Sequence, residues 1–204
     1  MIDRRVRLAA VLSSGPLLLL VTVAAAWHTP EYSGWRDTVS RLGSAGQPWA
    51  PLVRGSFVTY GILVAVGASV LVRGCRDGAI ALGALYVFAA AAVVAGLAPK
   101  DLPGRRHTAA SEVHVYATVV GGCALLLAMV IVARAESSPV RRAVTLGAGA
   151  LTAIAAVVFR FSWGTAYYGA IERAVLIPGM TWLVIAAAWA WADAPPQLGI
   201  GSPL

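Results

Sequence analysis

Charge is what this chain has least of. Asp, Glu, Lys and Arg make up 12 % of its 204 residues, about half the quarter that a soluble domain carries. That shortfall excludes a soluble globular domain with an ordinary surface. Cysteine is nearly absent too. Of the two present, Cys75 lies in a short connection and Cys123 in an apolar run. Neither spacing suggests a metal site, and each reads as a buried or reduced thiol. The three histidines include the pair His107-x6-His114, which is no recognised zinc spacing. No metal and no other cofactor is expected. There is no internal repeat, which gives no support to a secondary transporter.

Apolar residues fill the space that charge leaves. They account for 59 % of the chain, with a mean hydropathy of +0.76. They fall in blocks near the length of about 20 residues needed to cross roughly 30 Å of hydrocarbon as a helix. The blocks are 8–27, 51–72, 79–98, 111–133, 143–160 and 169–192. The expected fold is all-α: a single domain, residues 1–192, forming a six-helix transmembrane bundle. The first block shares the basic start, apolar middle and small residues of a signal peptide. A retained helix is favoured because the block is long enough to span and more spans follow. The tail 193–204, with three prolines and two glycines, is expected to be disordered. The net charge of +7 and pI near 10.1 do not indicate nucleic acid, because the arginines flank apolar blocks instead of forming one stripe.

Six spans place both termini on one side. With the amino terminus inside, eight Lys/Arg fall inside and eight outside, so the overall count does not choose an orientation. The flank of the first span, Arg4, Arg5 and Arg7, does: it argues for termini in the cytoplasm of a cell-membrane protein. His28, His107 and His114 then share the outer face with Glu31, Asp37, Asp101, Glu112, Glu172, several arginines and the aromatics Trp27, Trp35, Trp49, Trp163, Tyr167 and Tyr168.

The one polar stretch among the apolar blocks, residues 28–44, reads as a short interfacial helix between the first two spans. Ser33 is placed to cap its start and Gly43 its end. Tyr32, Trp35, Val39 and Leu42 fall on one apolar face. Asp37 and Arg41 form an i, i+4 pair with the acid first. In the fourth span Ser111, His114 and Thr118 share one face, and Glu112 points away from it. Arg54, Glu112, His114, Glu172 and Arg173 all lie in the first turns of their spans, where a charge is less costly than at the bilayer centre. Snorkelling or interhelical bonding explains such residues as well as chemistry does.

Several of these residues carry a resemblance. Asp37-Thr-Val-Ser40-Arg-Leu-Gly43 after a first span resembles the signature of the domain-of-unknown-function 998 family of prokaryotic membrane proteins. His107 with Ala109 and Ala110, and Gly169 with Glu172 and Arg173, are similar to its later motifs. Members often have an acidic residue where this chain has Arg41. The resemblance covers about residues 5–192 and implies the fold and the place of a site, with no reaction attached.

The expected function is binding of a lipid or other apolar small molecule at the outer polar face, with membrane lipids as partners and oligomeric state left open. Ser40, Arg41, Arg54, His107, Ser111, Arg160, Trp163, Tyr168 and Arg173 are the candidate ligand contacts. The alternative is a membrane enzyme performing acid–base chemistry on a lipid or isoprenoid, such as hydrolysis or cyclisation. Asp37, His114 and Glu172 would then be its candidate catalytic groups.

Overall fold

A computed structural model of the chain describes residues 2–102 and 108–194. Among them are seven helices: α1 (Arg4–Trp27), α2 (Val39–Leu42), α3 (Ala50–Leu71), α4 (Gly78–Leu97), α5 (Ala109–Ala135), α6 (Pro139–Phe161) and α7 (Tyr168–Ala192). All but α2 are long and apolar enough to cross a membrane, and α2 lies between the first two spans.

Where the helices begin is set by polar caps just outside the apolar runs. Asp3 accepts from the Arg5 amide, so α1 starts one turn ahead of its apolar block. Ser138 caps α6 with Pro139 in its first turn, and that helix also begins before residue 143. Thr108 caps α5. At the far end of α7, Asp193 belongs to the ordered structure: its carboxylate takes two bonds from Arg141, at 2.6 and 3.0 Å. Residues 195–204 of the expected tail lie outside the described residues.

The spans form a closed ring in the order α1, α3, α4, α5, α6, α7 and back to α1, with α3 touching α7 across it. Apolar burial gives little drive between helices in lipid, so close backbone approach has to supply the packing. It does so at small residues. A Cβ at Gly61 would collide with Ala89 and Val93 of α4, and one at Gly67 with Arg7 and Val11 of α1. Leu8, Val11, Val64, Leu85, Met129, Trp182 and Leu183 fill the core. The Trp182 indole donates to the Thr145 hydroxyl at 3.0 Å, tying α7 to α6.

The ring is uneven. Thr145 and Thr152 are the buried residues of α6, and most of that helix faces outward. The thiols are free, the reduced alternative of the sequence reading: Cys75 is half-buried in its connection and Cys123 is exposed on α5.

Six spans put the start of α1 and the end of α7 at one end of the bundle. The opposite end, called the loop face below, carries residues 28–49, residues 98–102 of the α4–α5 connection and the turn from α6 to α7.

Candidate functional site

Residues 29–44 make a strap that is fastened to the start of α7. Its helical part is shorter than the sequence suggests, and its cap is Thr38, whose hydroxyl accepts from the Arg41 amide at 3.2 Å. Ser33 is not the cap. Its amide instead donates to Asp37 Oδ2 at 2.7 Å, closing a turn. Carbonyls of this turn accept from groups outside the short helix. The Arg173 guanidinium takes those of Gly34 and Asp37, at 2.7 and 3.0 Å. The Tyr32 hydroxyl donates to Asp37 and Thr38 carbonyls at 3.1 Å. Val39 and Leu42 are buried, whereas Trp35 is 66 % exposed and stands edge-on to Tyr167.

Glu172 and Arg173 are adjacent but serve different partners. Glu172 accepts from the Val39 amide and, at 3.1 Å, from the Ser40 hydroxyl. A carboxylate at the first amides of a helix is favourably placed, though α2 is too short for a large dipole contribution. Arg173 also bonds the Gly169 carbonyl and the Tyr32 oxygen, and its charge lies over the Tyr32 ring. The strap backbone at Asp37 passes directly against Gly169, where any side chain would collide with it, and Ala170 donates to the Trp35 carbonyl at 3.0 Å. Asp37 and Arg41 form the predicted i, i+4 ion pair.

Lys100 completes this cluster. It follows α4 and Pro99, and its ammonium reaches the Ser40 hydroxyl at 3.5 Å. Burial pushes its proton affinity below the ordinary lysine range, while the nearby Glu172 carboxylate pulls in the other direction.

A second group of candidates finishes the end of α4. The last carbonyls of a helix lack intrahelical donors. Arg54 donates to Gly96 and Leu97 oxygens at 2.9 and 2.7 Å. His114 Nδ1 lies 2.9 and 3.0 Å from the Ala95 and Ala98 oxygens. Facing two acceptors, Nδ1 carries a hydrogen. Ser111 accepts from the Asp101 amide at 3.2 Å, and Asp101 holds Thr108 through its carboxylate. Ser111 and His114 are buried, but Thr118 is exposed and bonds back to the Val115 carbonyl, so the polar stripe of α5 ends after two residues.

The remaining candidates are apart from both groups. Arg160 is exposed at the end of α6. Tyr168 stacks on Phe159 at 4.5 Å and meets Trp163 edge-on at 5.1 Å. His107 lies outside the described residues. Sequence reasoning missed Tyr32, Thr38 and Lys100 as members of the cluster. One signal was present: Lys100 is the only lysine in a chain with fifteen arginines.

Beside the loop-face cluster, α6 and α7 splay to leave an apolar groove of about 400 Å³. Ile154 and Val158 face Ile171, Ala174 and Ile177 across it, with Pro178 on its wall. Proline has no amide hydrogen to donate to the carbonyl four residues back, here that of Ala174. A smaller groove of about 290 Å³ lies between α1 and α3, lined by Leu17, Val21 and Leu52 among others.

These features define the class: a multi-pass α-helical membrane protein with a polar strap fastened across the loop face of its bundle. Within that class, a family model for a protein of unknown function, DUF998, matches residues 12–189, and the chain belongs to that family. No curated protein matches the chain, and no solved structure does.

Proposed function

We propose that the protein is a lipid-binding component of the cell membrane, with both termini in the cytoplasm and the loop face outside. One chain of an amphipathic molecule lies in the groove between α6 and α7, with its polar end at the loop face. The observation that carries this reading is the groove itself. Its volume falls in the roughly 300–1,000 Å³ range of small-molecule sites, and its walls are aliphatic along the side that faces hydrocarbon. Two features of the loop face support it. Tyr167 and Trp35 are exposed near the start of α7, where amphipathic rings suit the headgroup level. Arg36 and Arg160 are exposed cations suited to an anionic headgroup, with Trp163 and Tyr168 beside the α6 end.

The test is native mass spectrometry of the detergent-purified full chain and of Ala174→Trp, which fills the groove from a position that is itself exposed. Wild type retains a copurifying lipid mass; the variant loses most of it at an unchanged unfolding midpoint. Equal lipid retention by both proteins counts against the reading.

A further inference from the structure

Ser40, Lys100 and Glu172 come from the strap, the α4–α5 connection and α7, and they meet only in the folded chain. The Ser40 oxygen is 3.1 Å from Glu172 Oε1, 3.5 Å from Lys100 Nζ and 3.1 Å from Thr38 Oγ1. Buried serines elsewhere in the bundle behave differently. Ser14 and Ser56 donate to carbonyls of their own helices, at 2.8 and 2.7 Å, which is the ordinary way a hydroxyl is satisfied in a membrane helix.

Lys100 is unusual in identity as well as position. The other fifteen basic residues of the chain are arginine, which stays protonated in proteins, whereas lysine can give up its proton when buried. The one cation able to act as a base therefore reaches a buried hydroxyl. Among the described residues its hydrogen-bond partner is the Ser40 hydroxyl, at 3.5 Å. The titratable groups facing it are Glu172 from α7 and His114 from α5.

We propose that Ser40 is a nucleophile with Lys100 as its general base, transferring the acyl group of an ester-bearing membrane lipid. Glu172 is a positioning residue that holds the Ser40 oxygen and the start of α2. In the first step the hydroxyl hydrogen turns from Glu172 toward the neutral Lys100 amine. The Ser40 oxygen bonds to the ester carbonyl carbon as its proton passes to Lys100 Nζ. The carbon–oxygen bond to the alcohol breaks, and the leaving alkoxide takes that proton from Lys100. Water then attacks the acyl-serine, giving its proton to Lys100 and releasing a fatty acid once Ser40 is reprotonated. A nucleophile with a lysine base within loose hydrogen-bond reach is one established form of this chemistry. The substrate class rests on the lipid-binding reading; the Ser40–Lys100 pair does not.

The test is covalent labelling of the purified full chain by diisopropyl fluorophosphate, with the adduct mapped by peptide mass spectrometry. Wild type forms one adduct, on Ser40, and Ser40→Ala forms none. Lys100→Arg keeps the positive charge beside Glu172 but removes the base, so labelling falls by roughly 100-fold or more, the scale of general-base catalysis. Labelling of wild type rises with pH as Lys100 loses its proton, a dependence that Lys100→Arg lacks. Folded wild type without a Ser40 adduct overturns the proposal, and so does Lys100→Arg labelled at the wild-type rate. Lipid retention measured on the same preparation separates the two readings: an unlabelled protein that still carries lipid defeats the nucleophile alone.

Discussion

Arg173 shows how one side chain can determine the shape of a loop. Its guanidinium bonds three carbonyls and a phenol oxygen, two of the carbonyls from the strap. Hydrogen bonds to charged groups contribute about 1.5–3 kcal/mol each and are not additive. Arg173→Ala is therefore expected to destabilise the protein by roughly 2–4 kcal/mol. Arg173→Lys should recover little, because an ammonium lacks the planar fork that spans several carbonyls. Denaturant unfolding in detergent measures both. A variant within about 0.5 kcal/mol of wild type, the range of ordinary surface changes, would mean that the strap is held by other contacts.

At the scale of elements, the strap is where sequence and structure differ most. The six spans were legible because a charge-poor, apolar run of sufficient length has few other soluble or membrane fates. The Asp37–Arg41 pair was legible because helical spacing alone brings those residues together. The length of α2 was not legible. Thr38 replaces Ser33 as the cap where Arg173, Glu172 and Ala170, from an element about 130 residues away, and Tyr32, from the loop itself, bond the strap backbone. Lys100 beside Ser40 was invisible for the same reason, since three segments distant in sequence must first pack.

The strap also gives a pH dependence. Burial raises the Tyr32 hydroxyl above its ordinary value, with Arg173 opposing. A group whose folded value is raised adds stability below its unfolded value, near 10 for tyrosine, and that stability is lost as pH rises through the folded value. Strap protection, followed by amide hydrogen exchange of residues 33–44, should hold to about pH 10 and weaken above it. Tyr32→Phe should remove that weakening. A strap that loosens equally in both proteins, or as the pH falls from 10, would show that Tyr32 does not govern it.

For the molecule as a whole, the unequal ring is the main structural fact. Small residues close α1, α3, α4, α5 and α7 on one another, while α6, tied to α7 by the Trp182–Thr145 bond, buries two residues and leaves its aliphatic side to the bilayer. A bundle built this way has a firm side and an open side, and the groove lies on the open one. Photo-crosslinking in membranes with a diazirine-bearing phospholipid tests that arrangement directly, with adducts mapped by peptide mass spectrometry. Adducts concentrated on Ile154, Val158 and Ile177 are the predicted result. Labelling spread evenly over the six spans, or concentrated at Leu17, Val21 and Leu52 between α1 and α3, would contradict it.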